Sequence, residues 1–239
     1  MRRVLVTGGG SGIGRAVARD FAGLGDHVTI TGRRMDALRE TDGGRGMACV
    51  TADVTDEAQV AALLAEPFDV VIANAGIAPS APIARMSLSD WDDVMRINLT
   101  GVFLTFREAL RGMGPGGRLI AMASTASLQG GAGIGAYVAS KHGVLGLVRS
   151  VAIEVARKGI TCNAVCPGFV ETEMAEGAVR NVMEAMGLDR DAATAKIVAR
   201  NPMKRMISVD EVAAAVRFLA SPQASMVNGH ALSVSGGEI

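Results

Sequence analysis

Seven short apolar runs recur along the chain, most of them followed by a longer stretch with helical periodicity, and this alternation leaves few folds open. The runs are RVLVT (3–7), VTIT (28–31), MACVT (47–51), DVVIA (69–73), RLIAM (118–122), TCNAV (161–165) and ALSVS (231–235). They are apolar almost throughout rather than alternating, as strands buried on both faces are. Helical stretches fall at 13–24, 34–41, 56–65, 89–111, 136–158 and 208–220. The last opens SVDEVAAAVRFLA, with Ser208 as N-cap and Glu211 at the third position of a capping box. Parallel strands need helical crossovers, so the pattern predicts a doubly wound, seven-stranded parallel α/β sheet with helices on both faces. The interval 171–207 breaks the rhythm and reads as an insertion that covers a site.

Composition narrows the function. A chain of 239 residues, 49% hydrophobic, buries one sizeable core, so residues 1–239 are expected to form a single domain. Lys and Arg number 24, as do Asp and Glu, and no long basic run occurs, which argues against nucleic acid as a partner. Three widely spaced cysteines, Cys49, Cys162 and Cys166, make neither a disulfide framework nor a zinc site and point to the cytoplasm. The apolar stretch after the first two arginines is too short for a secretory leader, and no later one reaches membrane-spanning length. The three histidines, His27, His142 and His230, have no metal-ligand companions, so no metal is expected.

Between the first strand and the first helix stands TGGGSGIG, with Gly8, Gly12 and Gly14 spaced G-x-x-x-G-x-G. A helix N-terminus presents unpaired N–H groups and partial positive charge, and glycines there let a pyrophosphate approach backbone. The spacing is not the G-x-G-x-x-G fingerprint, and a tight strand-to-helix turn explains the glycines equally well. Position favours nucleotide binding, because the first strand of such a sheet feeds the crevice where ligands bind.

Further along, Tyr137 and Lys141 lie four residues apart at the start of a helix and so share a face. Tyr137 is the one tyrosine of the chain. A phenol exchanging protons at neutral pH needs its anion stabilised by about 4 kcal/mol, and a neighbouring ammonium supplies part of that. Ser124 follows the fifth apolar run, at the strand edge where such sheets do chemistry, and can hydrogen-bond a carbonyl oxygen. By register alone Thr125 and Ser127 compete with it.

In order along the chain, TGGGSGIG, ANAG (73–76), Asn98 in MRINLTG, Ser124, YVASK and CNAVCPGFVETEM resemble the motif series of the short-chain dehydrogenases/reductases, over essentially the whole length. The resemblance implies a Rossmann-type fold and an enzyme interconverting a ketone and a secondary alcohol with a nicotinamide dinucleotide. It implies that Ser124 polarises the carbonyl, Tyr137 is the general acid/base, Lys141 lowers the phenol pKa and holds the nicotinamide ribose, and Asn98 holds a relay water. It selects Ser124 over its neighbours by the spacing of thirteen to Tyr137. It further implies that Gly8, Ser11, Gly12, Ile13, Gly14, Asp53, Val54, Asn74, Ala75, Gly76, Pro167, Gly168, Val170 and Thr172 contact the cofactor, and that the protein is a homotetramer paired through the helices at 89–111 and 136–158. Two departures stand out, ANAG for the more usual NNAG and VSGG for VDGG near residue 235.

Coenzyme choice is read after the second strand, in ITGRRMD. Gly32 stands at the position of the carboxylate that reads NAD, and Arg33 and Arg34 follow, which favours NADP(H) over NAD(H). Ser11, where many NADP-using relatives carry a basic residue, argues the other way. The insertion offers Met174, Met183, Met186, Met203 and Met206 for an apolar pocket, and Arg200, Lys204 and Arg205 for the phosphates of a thioester carrier. Taken singly, each of these residues fits equally a helical lid whose methionines pack on the body and whose charges face water. The family resemblance suggests a 3-oxoacyl or 3-hydroxyacyl thioester as substrate, with an alicyclic, sugar or steroid alcohol used with NAD as the alternative. A non-catalytic dinucleotide sensor or scaffold would keep the fold but lose a proton-transfer residue, and all four are present.

Overall fold

The computed structural model describes residues 1–239. Its seven strands are β1 (Arg3–Thr7), β2 (His27–Gly32), β3 (Ala48–Thr51), β4 (Val70–Ala73), β5 (Arg118–Met122), β6 (Thr161–Pro167) and β7 (Ala231–Val234). All pair in parallel in the order β3-β2-β1-β4-β5-β6-β7. After β3 the chain crosses back to the far side of β1, which leaves a crevice at the carboxyl ends of β1 and β4.

Nine α-helices accompany the strands: α1 (Gly12–Gly23), α2 (Met35–Asp42), α3 (Glu57–Leu63), α4 (Leu88–Met95), α5 (Gly101–Gly112), α6 (Gly135–Val155), α7 (Glu173–Met186), α8 (Arg190–Ile197) and α9 (Val209–Leu219). Successive residues of a strand face opposite sides, so Val4 and Val6 join Val17, Phe21, Val212 and Val216 under α1 and α9. Leu5 joins Phe106, Val148 and Val151 under α5 and α6 on the other face. The Ser208 and Glu211 capping box opens α9 as the sequence predicts.

The stretch 89–111 is helical throughout, as the sequence predicts, but not α-helical throughout. A π-helical turn at Arg96–Thr100 separates α4 from α5. Within the widened turn Asn98 is fully buried, its side chain hydrogen-bonded to the backbone of Ile77. The interval 171–207 holds α7 and α8, with Thr172 capping the first through the Ala175 N–H and Asp189 the second through the Ala192 N–H. No helix is long and apolar enough to cross a membrane.

Candidate active site

A cavity of about 1360 Å³ opens along the carboxyl ends of the strands and is walled on one side by α7. At one end the turn from β1 into α1 brings Gly8, Ser11, Gly12 and Ile13 to its surface. Gly14 lies just behind: a β-carbon there would sit 2.2 Å from the Gly8 carbonyl oxygen, so only glycine lets the helix start this close to the strand. Gly8 adopts φ +65°, and a β-carbon on it would meet the Ala75 backbone at 2.9 Å.

The segment 74–76 is laced to β1. The Thr7 hydroxyl accepts the N–H groups of Asn74 and Ala75 at 2.9 and 3.1 Å, and the Asn74 amide donates to the Thr7 carbonyl at 3.0 Å. These bonds persist with Ala73 in place of the more usual asparagine. Arg33 and Arg34 border the cavity beyond Gly32, and neither forms an ion pair. Asp53 accepts the N–H and hydroxyl of Thr55 at 2.9 and 2.8 Å, bonds that hold its carboxyl below the usual range, while Asp56 takes the cap of α3. Asp53 and Val54 also line the cavity.

Midway along the cavity stand Ser124, Tyr137 and Lys141. Ser124, just after β5, accepts the Ala126 N–H at 3.1 Å, whereas Ser127 is turned to cap the same short turn and does not reach the cavity. Burial lifts the Tyr137 phenol above its ordinary 10.0, against a smaller opposing pull from the Ser124 hydroxyl. Lys141, 4% exposed, has no carboxylate partner and donates to the Met122 carbonyl at 2.6 Å. Its nitrogen lies 5.6 Å from the centre of the Tyr137 ring. Desolvation lowers its pKa to about 8, partly offset by the thiol of Cys166, itself pushed up to about 11 by burial.

The Lys141 ammonium is turned onto a backbone carbonyl, and burial is the largest influence on the phenol. Asn98 and Gly14 are the two expected site residues that do not line the cavity. The Asn98 side chain brackets Ile77, accepting its N–H and donating to its carbonyl, both at 2.8 Å, and donates to Ser140 at 3.1 Å. Ile77 is on the wall.

Pro167, Gly168, Val170 and Thr172 close the wall between β6 and α7. Of the candidate methionines only Met174 reaches the cavity, and of the candidate cations only Arg200. Arg205 pairs with Glu211 at 2.5 Å and Lys204 donates to the Ala199 carbonyl at 2.5 Å. Sequence reasoning missed Gln129, Ile134, Phe169, Arg180 and Glu238, all lining the cavity. Nothing in their local pattern marks them; only the position of Gln129, five residues past Ser124, offered a signal.

The family model described as Enoyl-(Acyl carrier protein) reductase matches residues 8–238. The chain is 38% identical over 248 residues to the putative ketoacyl reductase 1 of the granaticin polyketide synthase of Streptomyces violaceoruber, covering 98% of this chain and 91% of that one. It is 40% identical to the cis-4-hydroxycyclohexanecarboxylate dehydrogenase of Sinomonas cyclohexanicum, covering 99% and 96%. A solved structure of an actinorhodin polyketide ketoreductase variant with NADPH superposes with a TM-score of 0.93 at 36% identity, covering 99% of this chain and 97% of that one. With the sheet order, the glycine turn and the buried lysine beside the one tyrosine, these likenesses establish the chain as an oxidoreductase of the short-chain dehydrogenase/reductase family.

Proposed function

We infer that the protein interconverts a ketone and a secondary alcohol with NADP(H), Tyr137 serving as general acid and base, and that its substrate is a 3-oxoacyl or 3-hydroxyacyl thioester. The observation that carries this reading is Lys141: a buried ammonium with no carboxylate partner, on the cavity wall, 5.6 Å from the ring of the one tyrosine. Uncompensated buried charge is costly and is retained where it acts.

The wall fits a dinucleotide. The glycine turn leaves backbone open at the N-terminus of α1, where Gly8, Ser11, Gly12, Ile13 and Gly14 would hold the pyrophosphate. Asp53 and Val54 would meet the adenine, and Asn74, Ala75, Gly76, Pro167, Gly168, Val170 and Thr172 the nicotinamide half. Arg33 and Arg34, with no carboxylate at Gly32, favour the additional phosphate of NADP(H), and the actinorhodin relative holds NADPH. When bound, the cofactor supplies or accepts the hydride.

Ser124 orients the carbonyl oxygen by hydrogen bonding. Tyr137 gives that oxygen its proton in reduction and takes it back in oxidation. Lys141 leaves the Met122 carbonyl for the ribose and stabilises the phenolate. Asn98 fixes Ile77 and, with the π-turn, the water that feeds the proton relay. The segment 171–207 covers the substrate, in a single domain spanning 1–239. The thioester reading rests on the likeness to the granaticin ketoacyl reductase, and the cyclohexane-carboxylate relative favours an alicyclic alcohol as the second reading.

Exposed Leu88, Phe103 and Ile153 on α4, α5 and α6 give apolar surface for a homotetramer, which sedimentation tests. The three free thiols suit the cytoplasm. For the reaction itself, Tyr137→Phe is expected to lower kcat for acetoacetyl thioester reduction about a thousandfold while NADPH still binds by fluorescence titration. Near-normal turnover in that variant would reject the reading.

A further inference from the structure

Three segments far apart in sequence meet on the wall beyond Ser124. Gln129 comes from the loop after β5, Arg200 from the turn after α8, and Glu238 from the segment after β7; all three line the cavity. The Gln129 amide nitrogen donates to a Glu238 carboxylate oxygen at 2.7 Å, and Arg200 donates to the Gln129 amide oxygen at 2.6 Å. The other Glu238 oxygen lies over Gly168, 3.2 Å from where a β-carbon would stand.

A carboxylate only accepts and a guanidinium only donates, so the two charged ends permit one orientation of the amide between them. A flipped amide would set donor against donor and acceptor against acceptor. Gln129 is thus held with one N–H and one oxygen lone pair unspent. Arg200 spends one of its five N–H groups on Gln129 and pairs with no carboxylate. Ile134, Phe169 and Met174 line the same cavity, so these donors share its lining with apolar side chains. Such a wall complements a substrate that brings an acceptor oxygen of its own, and rejects one that leaves those donors unpaired.

We propose that Gln129, clamped between Glu238 and Arg200, reads a second oxygen of the substrate beyond the reacting ketone, and that this makes the enzyme selective for β-dicarbonyl compounds over simple ketones. Gln129 makes the contact; Glu238 is a positioning residue acting through it. This deepens the preceding reading and rests on it.

The test compares NADPH-dependent reduction of acetoacetyl-N-acetylcysteamine with that of cyclohexanone, which lacks the second oxygen, in the wild type, Gln129→Leu and Glu238→Gln. In Gln129→Leu the ratio of kcat/KM for the β-ketothioester to that for cyclohexanone falls about tenfold, through KM rather than kcat, as the loss of one hydrogen bond requires. In Glu238→Gln one of the two restraints on the amide is lost, Arg200 alone still favouring its orientation, and the ratio falls in the same direction by a smaller factor. Restoring a shorter amide in Gln129→Asn recovers part of the ratio. An equal loss on both ketones, or no loss, overturns the proposal while leaving the reaction assignment intact. A wild type that reduces neither ketone overturns both.

Discussion

The ammonium of Lys141 donates a 2.6 Å hydrogen bond to the carbonyl of Met122, at the end of β5, from a position 4% exposed. Burial brings its pKa down to about 8 from 10.5. The unfolded chain therefore binds a proton that the folded one releases between about pH 8 and 10.5, so this residue destabilises the dinucleotide-free protein fully below pH 8 and progressively less as pH rises through that window. The cost is about 3 kcal/mol at neutral pH, offset by about 1 kcal/mol for the hydrogen bond. Lys141→Met should stabilise the empty protein by about 2 kcal/mol at pH 7 in urea unfolding, with a smaller gain at pH 10, while abolishing turnover. A variant less stable than the wild type at pH 7 would contradict this account of the site.

Protonation of Tyr137 sets the direction dependence. Burial holds the phenol above 10.0, so at neutral pH it carries the proton that reduction needs and lacks the vacancy that oxidation needs. Oxidation of a secondary alcohol should rise with pH through the alkaline range, approaching tenfold per unit before levelling at the phenol's pKa in the complex, while reduction stays level and then declines. Profiles of kcat/KM in both directions decide this, and a pH-independent oxidation rate would count against Tyr137.

Coenzyme preference should follow the end of β2. Arg33→Ala removes a guanidinium that forms no ion pair, and KM for NADPH is expected to rise about ten- to a hundredfold, the worth of one charge-assisted hydrogen bond, with KM for NADH nearly unchanged. Gly32→Asp adds the missing carboxylate and should invert the preference. Steady-state kinetics with both dinucleotides reads the outcome.

Asn98 is expected to matter first for stability. Asn98→Leu keeps the volume but strips partners from the N–H and carbonyl of Ile77 and from Ser140. The predicted loss is about 2 to 4 kcal/mol, seen as a lower Tm that bound dinucleotide only partly restores.

How much of this was legible in the sequence follows from how local each feature is. The seven strands fell within a residue or two of their observed ends; the inner strands β1, β4, β5 and β6, buried on both faces, are unbroken apolar runs, whereas the edge strands β3 and β7 are exposed or half-buried and were legible from β-branched and apolar residues alone. Tyr137 and Lys141 were legible because their helical spacing fixes a shared face. The break at Arg96–Thr100 was not, since one extra residue in a turn hardly alters the apolar pattern that runs on through Val102 and Phe106. Gln129 and Glu238 are 109 positions apart, and no periodicity links them. The direction of the Lys141 ammonium was hidden as well, because spacing places a side chain on a face without saying which neighbour it meets.

The order of the strands separates two kinds of choice. The residues proposed to meet the coenzyme's adenosine half, Gly32 to Arg34 and Asp53, lie at the ends of β2 and β3, whereas Gln129, Arg200 and Glu238, proposed to meet the substrate, follow β5, α8 and β7 on the other side of the crossover. No side chain serves both groups. Mutation can therefore retune electron-donor preference without disturbing which ketone is accepted, and a lineage built on this scaffold is free to diversify its chemistry one end at a time.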